Sequence, residues 1–206
     1  METIETEKLT AAGLARAFPS KFQTQAKRVC GSILRYSLPG SKDWIGRFNV
    51  NVNDEVIWVP SRVYFEKVPF DFAHIDEDEH LMQQCIFTRH HSGYKRQAAL
   101  AKIISSNKSW TLPFIVFLVG EYVIEILDDI YADLSGIDDD KLGQFLANNP
   151  EFHLLTRERV VSYWDVYYRR NIPRNEYVGF KILEYFQDAL ISHSPELGSR
   201  KVWKRF

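Results

Sequence analysis

Apolar residues recur along this chain with two periods, and the change of period marks out its parts. From Thr6 to Ala17, Leu9, Ala12, Gly13 and Leu14 fall at helical spacing, and Phe18-Pro19 ends the run. Ser20 is a fair N-cap for a second helix, which sets Phe22, Ala26, Val29, Cys30, Ile33 and Leu34 on one face. Leu38-Pro39-Gly40 then signals a turn. Between Trp44 and Val52 the period shortens to two, with Phe48, Val50 and Val52 alternating against Arg47, Asn49 and Asn51. Asn53-Asp54 predicts a tight turn, and Glu55 to Phe65 is rich in β-branched and aromatic residues. Pro60 interrupts that run, so it reads as an edge strand or two short strands. A lone hairpin is marginal in water, so one of its faces must pack on helices.

Helical spacing returns near Ile75 and persists to about Ser192. Asp76 caps a helix carrying Leu81, Met82, Cys85 and Ile86, and His90-His91-Ser92-Gly93 forms the turn after it. Tyr94 to Ser105 carries Ala98, Leu100, Ile103 and Ile104. Pro113 opens the most apolar segment, which runs to about Leu134 and which Gly120 divides. Asp138 to Asn148 is a short helix, and Pro150 suits the first turn of the next. Thr156 to Arg170 is helical and aromatic-rich, and Asn175 caps a final helix with Val178, Ile182, Leu183, Phe186 and Leu190. The helices pair off from Asp76, Leu112 and Thr156, a spacing of roughly 36 to 44 residues, within the range of short helical repeats.

The expected fold is therefore mainly α. Antiparallel helical hairpins stack over residues 75–192, with an N-terminal helical pair and a small β-hairpin at residues 44–66. The expected organisation is a single domain, 1–206. Residues 1–73 form an N-terminal subdomain, 74–192 the hairpin array, and 193–206 a basic tail.

Gly93-Tyr94-Lys95-Arg96-Gln97-Ala98-Ala99-Leu100, then Pro113-Phe114-Ile115-Val116-Phe117-Leu118, then Gly120-Glu121-Tyr122-Val123 with Ile126-Leu127, follow one another over residues 93–130. This stretch resembles the HEAT-type helical repeats of bacterial proteins. There Gly-Tyr-x-Arg-x-x-Ala-Leu is followed by a Pro-led apolar helix and by Asn-Asp-Trp-Val-x-x-Val-Arg. The third part departs most from that pattern, lacking its Trp and Arg. The resemblance implies stacked helix pairs with a long exposed surface, usually one that binds a protein. It carries over no catalytic residue.

Composition narrows the picture. Hydrophobic residues make up 45% of the 206 and charged residues 26%, as in an ordinary folded domain. The formal net charge is -1, so no global field draws nucleic acid or an anionic membrane. The longest apolar run, Leu112 to Gly120, falls well short of the roughly 20 residues that span a bilayer. The acidic start, METIETEKLTAAG, lacks the apolar core of a signal peptide, and cytoplasm is the expected location. Cys30 and Cys85 each sit in an apolar stretch, as buried free thiols do.

Phosphate-loop, Gly-x-Ser-x-Gly and His-Glu-x-x-His motifs are absent. Asp76 and His80 share a helix face at i, i+4, and with His90 and His91 they are weak candidates for a cation site; the alternative is a helix N-terminus whose acids suit its dipole. Asp128, Asp129 and Asp133 lie near a helix end, where carboxylates oppose the dipole, and so suggest a basic partner or an internal Arg. Lys21, Arg28 and Arg35 are seven apart and form a basic stripe. Arg200, Lys201 and Lys204 surround Trp203 in the tail, a pattern that can hold phosphates and stack bases. In RERVVSYWDVYYRR, residues 157–170, Val160, Tyr163, Trp164 and Tyr167 make a core face, while Arg157, Tyr168 and Arg169 project elsewhere as candidate interface residues; the alternative is that the large aromatics simply fill the seam against the last helix, where Gly179 permits close approach.

The leading expectation is a non-enzymatic protein-binding module: an adapter, regulator or antidote-like protein with a protein partner and no cofactor. The alternatives are a nucleic-acid binder using the basic stripe and tail, and a metal-dependent enzyme. No membrane partner is expected.

Overall fold

In a computed structural model the chain is mainly helical with a small antiparallel sheet. The structure describes residues 5–38, 44–66 and 76–198. His74 and the tail residues Arg200, Lys201 and Lys204 lie outside the described residues. The chain divides into two compact units, Met1–Ser106 and Asn107–Phe206. The division falls after the fourth helix, so the first helical hairpin groups with the sheet.

In the first unit, β1 (Glu5–Lys8), β2 (Trp44–Val52) and β3 (Glu55–Pro60) form a three-stranded antiparallel sheet in that order. The hairpin stands where the alternation placed it. Phe48 lies opposite Val59 and Val50 opposite Ile57, and all four side chains are buried. Asn53 and Asp54 have φ of 51° and 63°, the left-handed pair that a tight hairpin turn requires. β3 is an edge strand and stops at Pro60, which has no N–H to extend a ladder.

The N-terminal helix is shorter than its spacing predicts. Glu5–Lys8 pairs with β2, and only Ala11–Ala15 is helical (α1), capped by the Thr10 hydroxyl, which accepts from Gly13 N at 2.9 Å. A short isolated helix is costly to nucleate, and pairing along β2 satisfies the same backbone groups. α2 (Gln23–Leu34) buries Ala26, Val29, Cys30 and Ile33, the face read from the sequence. Ser20–Phe22 before it is a 3-10 turn.

α3 (Glu77–Phe87) begins with a reciprocal capping box between Asp76 and Glu79. Arg28 on α2 donates to the fully buried Glu79 carboxylate, Nε to Oε1 at 2.8 Å, and so ties α2 to the start of α3. α4 (Gly93–Ile103) packs on α3. Arginines hold the turn between them. Arg89 donates to the carbonyls of Pro60 (3.0 Å) and Ser61 (2.5 Å), and Arg96 to those of His90 (3.1 Å) and His91 (3.0 Å). Cys30 and Cys85 are buried free thiols, and burial pushes both pKa values up.

The second unit is helical. α5 (Leu112–Val119) is buried along its whole length, and Gly120 ends it as the spacing suggests. α6 (Ile124–Ala132), α7 (Asp139–Asn148), α8 (Pro150–Tyr163) and α9 (Val178–His193) follow, then a short α10 (Pro195–Gly198). α5 packs on α6 and α8 on α9. α7 crosses α9 so closely at Gly143 that a Cβ there would lie 2.4 Å from the Ala189 carbonyl oxygen. Among the described residues no helix is long and apolar enough to cross a membrane.

Candidate functional site

The aromatic segment read as one helix to Arg170 is α-helical only to Tyr163. Trp164–Tyr168 forms a π turn, closed by the Arg169 N–H donating to the Trp164 carbonyl at 2.8 Å. A π turn carries one residue more than an α turn, and each helical residue adds about 100° of rotation. Side chains beyond it are therefore out of phase with those before it. Tyr167, placed on the core face by α-helical spacing, is 58% exposed, and Val166 is 66% exposed. Tyr168 takes the inward position instead and is half-buried.

The turn is fastened from both sides. Trp164 Nε1 donates to the Ile172 carbonyl at 3.0 Å, and its ring meets Phe180 edge-on at 5.4 Å. Tyr168 stacks on Tyr177 at 5.3 Å and donates its hydroxyl to the Tyr122 carbonyl at 2.5 Å. Tyr177 is fully buried because Gly179 leaves it room: a Cβ at residue 179 would lie 2.6 Å from the Tyr177 ring and 3.0 Å from Val160 Cγ1. The Tyr177 hydroxyl makes no hydrogen bond, and burial pushes its pKa up.

Around this frame Tyr122, Tyr163 and Tyr167 form a triangle of rings with centroids 6.0 to 6.1 Å apart. Tyr122 and Tyr167 are exposed, so a contiguous aromatic patch faces solvent. Carboxylates border it. Burial raises the Tyr168 pKa, and the charges of Glu125 and Asp128 raise it further. Burial, Glu125 and Asp129 in turn raise that of Asp128. Asp129 is half-buried, and Asp133 is exposed at the far end of α6 as its C-cap. Arg169 is exposed and pairs with Asp165 one turn back at 2.6 Å.

Arg157 stands apart from Tyr168 and Arg169. It is buried, and it lines a cleft of about 390 Å³ between α8 and α9. Val161, Phe180 and Leu183 supply apolar wall, and Arg174, Glu184 and Gln187 polar wall. Arg174 lies over the Phe180 ring at 4.7 Å. Both amide atoms of Gln187 are closed to bulk solvent and make no hydrogen bond within the protein, each at a cost of about 1–3 kcal/mol. His153, one turn before Arg157, is buried, and burial followed by the Arg157 charge lowers its pKa to about 3.

The remaining predicted residues have structural partners or are dispersed. Asp76 caps α3. Roughly 10 Å of helix rise separates His80 from Phe87, with His90 and His91 beyond it, so the four do not converge. His90 Nδ1 accepts from Ser92 N at 2.9 Å, which assigns the proton to Nε2, donated to the Phe65 carbonyl at 2.9 Å. Burial and the charge of Lys95 lower the His90 pKa to about 4. Among the described residues no group of three or more His, Cys, Asp or Glu side chains is placed to hold a metal ion. In the basic stripe, Lys21 sits in the 3-10 turn with its ammonium over Phe22 at 4.7 Å, Arg28 binds Glu79, and Arg35 is the exposed C-cap of α2.

Sequence reasoning missed the cleft and the part played by Tyr122. The signal for the cleft is Gln187, which continues the apolar row of Phe180 and Leu183 at helical spacing. No protein-family model matches the chain, and comparison with curated proteins and with solved structures gives no significant match.

Proposed function

We propose that the protein is a non-enzymatic binding module, an adapter or regulator, that presents the tyrosine patch of its second unit to a protein partner. The observation that carries this reading is the exposure of Tyr122, Val166 and Tyr167 together, fixed by a π turn whose neighbours are tightly anchored. Large exposed apolar side chains grouped on a rigid frame mark interaction surfaces, and tyrosine contributes contact area at low entropic cost. Tyrosine faces attract cations, and Glu125 and Asp128 border the patch, so the complementary segment is cationic with apolar neighbours.

Gel filtration of a native lysate tests this. The wild-type chain is expected to elute in a nuclease-resistant complex larger than itself. Val166→Asp combined with Tyr167→Ser is expected to elute at the free size with an unchanged thermal melt, because both side chains are mostly exposed. A variant that stays in the complex would reject the patch as the contact.

A further inference from the structure

Tyr122, Tyr163 and Tyr167 stand at the corners of a nearly equilateral triangle, with centroids 6.0, 6.0 and 6.1 Å apart. Tyr167 is inclined at 38° to Tyr122 and at 37° to Tyr163, and those two at 68° to each other. The three planes therefore turn about Tyr167 as the floor and two sides of a trough do. Tyr167 and Tyr122 are exposed and Tyr163 is half-buried. A cation centred about 3 Å above the triangle lies about 4.6 Å from all three centroids, well inside the roughly 6 Å reach of a cation–π contact.

Given that the patch meets a protein partner, we propose that this trough receives a trimethylated lysine side chain of that partner. The charge around it calls for a cation: Glu125 and Asp128 are exposed, and both act electrostatically on the Tyr168 hydroxyl beside the triangle. The polar groups discriminate between cations. A primary ammonium carries three N–H donors and is strongly hydrated, so it needs acceptors when it leaves water. Ring faces offer none, since a phenol hydroxyl lies in the plane of its ring. The Tyr122 carbonyl already accepts from the Tyr168 hydroxyl at 2.5 Å. A quaternary ammonium has no N–H to satisfy, and its methyl groups carry the positive charge directly onto the aromatic faces. The exposed carboxylates stay hydrated and balance its charge from the border.

Titration of the full chain with a blocked tripeptide, trimethyllysine between two leucines, followed by the NMR ring signals of Tyr122, Tyr163 and Tyr167, tests the site. Saturable shifts are expected at all three rings. Two control peptides are each expected to bind about tenfold more weakly: one with unmethylated lysine, which keeps the charge, and one with a neutral tert-butyl group in place of the trimethylammonium, which keeps the shape. Tyr167→Leu retains apolar surface at an exposed position and is expected to melt like the wild type but to bind the methylated and unmethylated peptides alike. Equal binding of methylated and unmethylated peptides by the wild type, equal binding of the tert-butyl peptide, or no saturable shift would overturn the proposal. Any of these results beside a lysate complex that still needs Val166 and Tyr167 would remove the methyl-lysine assignment alone and leave the patch as a protein contact. A complex indifferent to those two residues would remove both.

Discussion

Lowering the pH from about 7.5 to about 5 protonates His153 in the unfolded chain but leaves it neutral in the folded one. Its ring is buried against Phe186, with centroids 6.3 Å apart, and both burial and the nearby Arg157 disfavour the imidazolium. The folded pKa of about 3 lies below the ordinary imidazole value of 6.5. Above the unfolded value the ring is neutral in both states and pH has no leverage. Between the two values the unfolded state binds the extra proton, so stability falls as pH falls and stops falling only near the folded value. At about pH 5 the interval below the unfolded pKa is about 1.5 units, and at about 1.36 kcal/mol per unit this site removes about 2 kcal/mol. Urea unfolding of the wild type and of His153→Gln, followed by circular dichroism at both pH values, isolates the contribution. The variant is expected to lose about 2 kcal/mol less than the wild type over the interval, whatever its absolute stability. Equal losses in the two proteins would refute the claim that His153 is held neutral by burial.

Two substitutions test the packing that frames the site. Gly143→Ala would stabilise α7 by about 1 kcal/mol on helix propensity alone, but the Cβ would meet the Ala189 carbonyl and the His193 Cβ within 2.6 Å. The net expectation is a loss of about 3 kcal/mol in urea melts, and any gain would show that the α7–α9 crossing is looser than described. Tyr177→Phe removes a buried hydroxyl without a hydrogen bond and is expected to leave stability unchanged or raise it by up to about 1 kcal/mol. A clear loss would reveal a partner for that hydroxyl.

Much of the fold was legible because its local signals agree with its tertiary contacts. The β2–β3 hairpin follows from two-residue alternation and a turn pair that tolerates positive φ. The α2 face, the Asp76 cap and the break at Gly120 were read the same way. The Glu5–Lys8 strand was not, because its partner β2 lies some forty residues away and a short segment carries little evidence of its own. The π turn limited the reading of the functional surface. Helical spacing assumes a constant rotation per residue, and a single extra residue at Trp164–Tyr168 turned Tyr167 out to solvent and Tyr168 partly inward. Arg157 was grouped with Tyr168 and Arg169 on a face projecting away from the core, whereas it is buried. Its burial depends on the cleft formed with α9, which no local pattern encodes.

Photo-crosslinking in cells tests the central claim most directly. A photoreactive residue replaces Val166, 66% exposed beside the tyrosine triangle, or Tyr94, 87% exposed on α4. The account predicts one discrete protein adduct from position 166, weakened by Glu125→Lys with Asp128→Lys, and none from position 94. An adduct from position 94 alone, or none from position 166, would contradict it.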